Sequence, residues 1–245
     1  EPLRNRINWQ SRTSLDHINA VPQECTMASM KRDQLRIALV SDVFHGNDGE
    51  ERLRTRLQEC REAGASLAVL PELGVLPWAP ATKEARDEDA ENPGGPLQVM
   101  QARLAAEVGI GLLGGAIVLD DANRRFNTCI LFDEQGEQLH SYRKVHIPDE
   151  PGFHEIDHYG PGEEPPEPFD AFGWSLGMQI CSDVNRPTGT HLLSAKGCEC
   201  VIAPRSTELA TWWKWRPVFI ANALTTCTYV LSVNRPGEEQ GVEIG

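Results

Sequence analysis

The chain has 245 residues, 40% of them hydrophobic and 24% charged, with a formal net charge of −13 and an isoelectric point near 5.0. That balance suits a globular domain, and the acidic surplus argues against nucleic acid as a partner, because a phosphate backbone calls for basic patches. No run of 18 consecutive apolar residues is present, so no membrane-spanning helix is expected.

Residues 1–34 are polar and aperiodic and read as an N-terminal extension without fixed structure. They carry Arg4, Arg6, Arg12, Asp16 and Glu24 and no apolar core segment, unlike a secretory signal. From Leu35 the texture changes, and a single domain is expected over residues 35–245. Leu35–Val40 suits a buried strand. Leu53, Leu57 and Cys60 fall at helical spacing within Asp48–Ala63, which Gly64 closes. Ser66–Leu70 is a second buried strand, and the acidic stretch 79–95 reads as a surface loop. Leu97, Met100, Leu104 and Val108 mark an amphipathic helix. Strands follow at Ile110–Leu119, Asn127–Phe132 and Gln138–His146, the last two joined by a turn containing Gly136. Residues 147–168 are rich in Pro, Gly and acids, a long connection of the kind that often serves function. Then come a strand at Trp174–Ile180, a short helix at Gly189–Lys196 and a strand at Val201–Ala203. A mainly helical stretch at Thr207–Thr226, with a break or kink at Pro217, leads to a last strand at Tyr229–Val233. Alternating strands and helices with hairpin pairs between them predict an α/β sandwich with mixed sheets.

Three stretches share one design: a buried strand ends and a reactive side chain follows. They are Leu70-Pro71-Glu72-Leu73, Tyr142-Arg143-Lys144-Val145-His146 and Gln179-Ile180-Cys181-Ser182-Asp183. Ligands of open α/β sheets collect beyond the carboxyl ends of strands. A thiol is a strong nucleophile once deprotonated, and a carboxylate can take that proton and later activate water. An ammonium and a backbone N–H can hold the oxyanion of a tetrahedral intermediate. The combination suits acyl transfer from a C–N bond through a thioester. Taken singly, each residue has a plainer reading, as a solvated strand end, a surface lysine or a core thiol.

Pro71-Glu72-Leu73, Tyr142 to Pro148 and Gly177 to Asp183 resemble the three signature blocks of the carbon–nitrogen hydrolase (nitrilase) superfamily. The order agrees, and the intervals of 72 residues from Glu72 to Lys144 and 37 from Lys144 to Cys181 are similar to the family's. Pro151-Gly152-Phe153-His154-Glu155 is similar to the block carrying the family's second glutamate, and Gly160-Pro161-Gly162 to the turn after it. The resemblance implies that Cys181 is the nucleophile, Glu72 the general base and Lys144 the stabiliser of the oxyanion. The amide of Ser182 would complete the oxyanion hole, and Glu155 would hold Lys144 and Glu72 in place. It further implies a four-layer α-β-β-α sandwich that assembles as a homodimer or higher homo-oligomer, with no cofactor and no metal. The segment His146 to Phe153 looks most like that of N-carbamoyl amide hydrolases. Hydrolysis of a linear amide or N-carbamoyl amide with release of ammonia is the expected activity. Nitrile hydrolysis by the same triad and a non-catalytic scaffold on the same fold are the alternatives.

Two departures stand out. Asn185 and Thr188 occupy positions where many members carry Arg and Glu, so Asp183 and Asn185 are expected at an unusual substrate edge. The sequence also stops soon after the strand ending at Val233, so the domain is expected to lack its C-terminal strands. Other groups have quieter readings. His146, His154 and His158 with Cys181 make a weak zinc set, Cys198 and Cys200 point to opposite faces of a strand, and Gly111 to Gly115 suits close packing rather than a nucleotide loop. Trp212, Trp213, Trp215 and Phe219 suit a dimer patch, a pocket rim or the core. The odd number of cysteines, seven, suggests reduced thiols in a cytoplasmic protein. Among them Cys181 is expected to label first, its thiolate favoured by Lys144 while the others are shielded.

Overall fold

The computed structural model describes residues 34–245. The expected N-terminal extension therefore lies outside the described residues, apart from Gln34.

In chain order the elements are β1 (Ile37–Leu39), α1 (Gly49–Glu62), β2 (Leu67–Val69), β3 (Ala90–Glu91), α2 (Pro96–Val108), β4 (Gly111–Leu119), β5 (Arg125–Phe132), β6 (Gln138–Arg143), β7 (Phe169–Ala171), β8 (Trp174–Met178), α3 (Pro187–Ala195), β9 (Cys200–Arg205), α4 (Trp212–Thr226), β10 (Tyr229–Asn234), β11 (Glu238–Glu239) and β12 (Val242–Glu243). One mixed sheet runs β1-β2-β4-β5-β6, with β3 also paired to β4, and a second runs β10-β9-β8-β7. In the first sheet β1, β2 and β4 are parallel and β4, β5 and β6 antiparallel. In the second, β10, β9 and β8 are parallel and β7 is antiparallel.

Strand alternation sorts the side chains into layers. Ala68 and Leu70 face one way, into a core with Leu53 and Leu57 of α1 and Leu104 and Ala105 of α2. Leu67 and Val69 face the other way, meeting Leu176, Met178, Cys200 and Ile202 of the second sheet. On that sheet's far side Leu193 of α3 packs with Cys198 and Val201, and Phe219 of α4 packs with Ala203. The order is helices, sheet, sheet, helices, as the sequence resemblance implied. Each fully buried leucine in these layers contributes about 1.5–3 kcal/mol relative to exposure. Cys198 and Cys200 fall in different layers, because Cys198 precedes β9 and so escapes the strand alternation that would set residues two apart on one face. The glycine-rich β4 also packs closely: a Cβ on Gly115 would stand 2.5 Å from the Thr128 carbonyl of β5. The Gln101 amide of α2 clasps the backbone N–H and carbonyl of Gly115.

Three expectations need correction. The acidic stretch 79–95 is not all loop, because β3 within it pairs in parallel with β4, Ala90 opposite Ile117. Of the break or kink expected at Pro217, the break is absent, because α4 runs through it as one helix. Pro217 lies inside the helix, in its second turn, where the missing N–H deprives a single carbonyl near the helix start. The strand at Tyr229 is not the last, since β11 and β12 form a small antiparallel hairpin beyond it. Ile244, just after that hairpin, is fully buried in a satellite core with Trp78, Phe153 and Tyr159. Among the described residues no helix is long and apolar enough to cross a membrane.

Candidate active site

Three strands end near one another, and each delivers one of the residues singled out in the sequence. Glu72 follows β2 in a tight turn whose next residue, Leu73, has φ of 50°. The turn is gripped from β10: the Arg235 guanidinium, itself fully buried, donates to the carbonyls of Glu72, Leu73 and Leu76 and pairs with Glu239. Lys144 follows β6, its N–H bonded to the Asn127 carbonyl at 2.9 Å. Its own carbonyl accepts from Gly162 at 2.7 Å, where a side chain has no room, because a Cβ would lie 2.7 Å from the Arg143 carbonyl. Cys181 begins a short turn three residues after β8, with φ of 46°. A non-glycine residue in that left-handed region is strained, and such strain collects where a side chain must be presented.

The ammonium of Lys144 bridges two carboxylates. It donates to Glu72 Oε1 at 2.7 Å and to Glu155 Oε2. Asn127 Nδ2 donates to Glu72 Oε1 at 2.8 Å, and the Tyr159 hydroxyl donates to Glu155 Oε2 at 2.5 Å. Lys144 and Glu155 are fully buried and Glu72 is 2% exposed. One carboxylate oxygen on each side, Glu72 Oε2 and Glu155 Oε1, is buried with no partner among the described residues. Cys181 is 5% exposed and opens, with Ser182, Asn185 and Thr207, into a cavity of about 340 Å³ rimmed by Glu150, Glu208, Lys214 and Trp215. The N–H of Ser182 has no acceptor among the described residues.

The profile of the Carbon-nitrogen hydrolase family matches residues 48–245. The chain belongs to the carbon-nitrogen hydrolase family. It is an enzyme that hydrolyses C–N bonds. It is similar to an omega-amidase from Xenopus tropicalis, 29% identical over 193 residues that make up 75% of this chain and 67% of the relative. An N-carbamoylputrescine amidase from Solanum lycopersicum is 27% identical over 215 residues, 84% of this chain and 70% of that protein. Among solved structures, an amidase from Nesterenkonia sp. AN1, captured with acrylamide added at its active-site cysteine, superposes with a TM-score of 0.75 at 23% identity. The match covers 86% of this chain and 82% of the other.

Charge in this carbon-nitrogen hydrolase follows from burial and from two carboxylates sharing one ammonium. Burial works against the charged Lys144, yet Glu155 and Glu72 overcome it and hold the amine well above its ordinary value. One negative charge is then in excess inside the protein. Burial pushes Glu155 up to about 7, with repulsion from Glu72 adding to it and Lys144 opposing it. Cys181 is pushed up to about 11, by burial first and by the charge of Glu72 next, against the pull of Lys144 and Arg205. The expectation of a thiolate favoured at rest is therefore corrected: the charge of Lys144 is already engaged by two carboxylates. The expectation that the other cysteines are shielded is corrected too, because Cys227, left-handed at the end of α4, is exposed while Cys181 is buried.

Asp183 is corrected as well. It is 1% exposed, and its oxygens are occupied by the Tyr142 hydroxyl, the N–H groups of Val145, His146 and Ile180, and the His146 ring. It ties the end of β6 to the turn after β8 and so sets Lys144 against Cys181, and it is not among the residues that line the cavity. Asn185, by contrast, does line the cavity. The weak zinc set does not assemble. The His158 ring bonds the Thr82 carbonyl, the His146 ring bonds Asp183, and the ligand-type cluster that does form among the described residues, Asp149, His154 and Asp157, excludes Cys181. Arg235, Asn127 and Tyr159 were missed from sequence. The available signal was small: Tyr159 stands four residues after Glu155, and Asn127 opens a strand whose other residues are largely apolar.

Proposed function

We propose that this protein hydrolyses a small linear amide or N-carbamoyl amide through a thioester at Cys181, with Glu72 as base and Lys144 as oxyanion stabiliser. The observation that carries the reading is the orphaned Glu72 Oε2, a buried acceptor without a proton donor, in the charge field of a protonated thiol that faces the cavity. Glu72 takes the Sγ proton as sulfur bonds the substrate carbonyl carbon. The oxyanion is held by the Lys144 ammonium and the unpaired Ser182 N–H. The C–N bond then breaks, Glu72 returns the proton to the leaving nitrogen, and ammonia departs. Water attacks the thioester while Glu72 takes its proton, and the thiol and the acid are released. Glu155 and Tyr159 keep Lys144 fixed throughout. A cavity of about 340 Å³ lies at the small end of ligand sites, which favours short substrates. The omega-amidase and carbamoylputrescine amidase relatives support an amide or carbamoyl carbonyl over a nitrile.

The same reading includes a cytoplasmic homo-oligomer. Supporting it are the free state of the described cysteines and an exposed apolar stripe of Trp213, Ile220 and Leu224 on α4, suited to a second copy.

The test is ammonia release by the full chain and by Cys181→Ala from short amides, carbamoyl amines and nitriles. Release from amides or carbamoyl amines by the wild type alone is expected. Equal release by Cys181→Ala would refute the reading, and release from nitriles alone would replace its substrate class.

A further inference from the structure

Alternation along β9 places Cys200 and Ile202 between the sheets and turns Arg205 toward α4, where its guanidinium stacks 4.6 Å above the Phe219 ring. Arg205 is 2% exposed, and among the described residues no carboxylate forms an ion pair with it. A buried cation without such a partner is costly to keep, so the groups that do satisfy it are informative. Nε and Nη2 both donate to Thr207 Oγ1, at 3.2 and 2.8 Å, and Nη1 reaches Asn185 Oδ1 at 3.5 Å.

A threonine hydroxyl has two acceptor positions and one proton. The guanidinium fork fills both acceptor positions of Thr207, so the proton must point elsewhere. The atom standing at hydrogen-bond distance is Cys181 Sγ, 3.3 Å away. The thiol's own proton has a different acceptor, the Ser206 carbonyl at 3.5 Å. Thr207 has little freedom to move off this line. Asn234 of β10 accepts from its N–H at 2.9 Å and donates to its carbonyl at 2.8 Å.

We propose that Thr207 and Arg205 form a donor relay for the reaction: the Thr207 hydroxyl hydrogen-bonds the Cys181 sulfur as it becomes a thiolate, and Arg205 is the positioning residue that orients and polarises that hydroxyl. The inference rests on Cys181 being the nucleophile. The relay is set before any proton moves, so the charge that appears on sulfur when Glu72 takes the thiol proton meets a donor already aimed at it. It answers a specific difficulty. The groups acting on the sulfur are Glu72 and Glu155, which with burial disfavour the thiolate, and Lys144 and Arg205, which favour it. Lys144 is bound to both carboxylates, and Arg205 is the cation with no carboxylate of its own.

The experiment measures iodoacetamide labelling of the intact protein between about pH 7 and 9, quantified on the Cys181 peptide by mass spectrometry. The exposed Cys227 in the same digest serves as the internal standard. Thr207→Val removes the hydroxyl at nearly constant volume. Loss of one hydrogen bond to a charged sulfur corresponds to about one unit of thiol pKa. Thiolate then falls about tenfold, and the greater nucleophilicity of the more basic sulfur reduces the loss in rate to about threefold. Thr207→Ser should label at the wild-type rate. Arg205→Gln should slow labelling when Thr207 is present and slow it by less when Val stands there, since only the direct charge of the arginine on the sulfur then remains to be lost. Loosened packing would speed labelling instead, the opposite sign. Wild-type labelling in Thr207→Val, or a loss in Thr207→Ser as large as in Thr207→Val, would overturn the relay. The readout is the sulfur itself, so it decides the relay whether or not Cys181→Ala retains turnover.

Discussion

Leu53 and Leu57 of α1 and the Glu72–Lys144–Glu155 cluster are withdrawn from water to nearly the same degree, yet burial means opposite things in the two places. Under α1 it is the source of stability, since apolar carbon gains from leaving water. Around Lys144 it is a cost. Two carboxylates and one ammonium lose their hydration, and the hydrogen bonds they exchange leave two carboxylate oxygens without a partner among the described residues. A fold tolerates such a cluster only where a strong scaffold surrounds it. Here the surrounding parts are the strand ends, the Arg235 grip on the Glu72 turn and the Asp183 tie between the Lys144 and Cys181 segments. The comparison teaches that equal burial separates into a part that holds the fold and a part that the fold holds.

The sharpest way to break this comparison is to cut one residue in each region. Lys144→Met leaves two buried carboxylates without their cation and should destabilise the chain by about 3–5 kcal/mol, while turnover per folded molecule falls roughly 10²–10³-fold. Leu53→Ala should cost a similar 2–5 kcal/mol or so and leave turnover per folded molecule near the wild-type value. Denaturant midpoints together with ammonia release normalised to the folded fraction check both. Equal losses of specific activity would erase the distinction between the regions.

A smaller effect sharpens it. In the folded chain Glu155 rises from an ordinary 4.5 to about 7, chiefly through burial. Between about pH 4.5 and 7 the folded state therefore binds more protons than the unfolded one, and this group's contribution to stability is lost as pH rises through that window. Glu155→Gln cannot titrate. The stability of the wild type relative to this variant should decline from about pH 5 to about pH 7.5, read from denaturant midpoints at the two ends. A difference that stays flat would mean that Glu155 is ionised throughout.

Much of the fold was legible because its layers are periodic. The stripe Leu53, Leu57 and Cys60 marked α1, and the apolar runs at 66–70 and 110–119 marked central strands. The placement of Glu72 and Cys181 at strand ends was legible for the same reason, since each follows an apolar run, whereas Lys144 follows the mostly polar, exposed strand Gln138–Arg143 and was marked by the family resemblance. What escaped lacks a period or contradicts a habit. β3, β11 and β12 have two residues each, too few to show alternation. Arg205 and Arg235 were not singled out in the sequence: Thr207 and Phe219, which hold the first, are not acidic, and the Glu72 turn, which the second grips, lies 163 residues away in the chain. Asp183 looked like a substrate ligand because it follows the reactive cysteine by two. Its five hydrogen bonds become visible only when the β6 end is brought beside it. The state of the thiol was misjudged because sequence shows a lysine but not how many carboxylates already hold it.

The central claim, that Cys181 carries the acyl group, is tested most directly by catching it. The full chain is mixed with an amide or carbamoyl amine from which it releases ammonia, quenched in acid within the first turnovers, digested and weighed peptide by peptide. The account predicts the substrate's acyl mass on the Cys181 peptide, on no other, and absent from Cys181→Ala. An acyl group on a different residue, or undiminished turnover by Cys181→Ala, would contradict it.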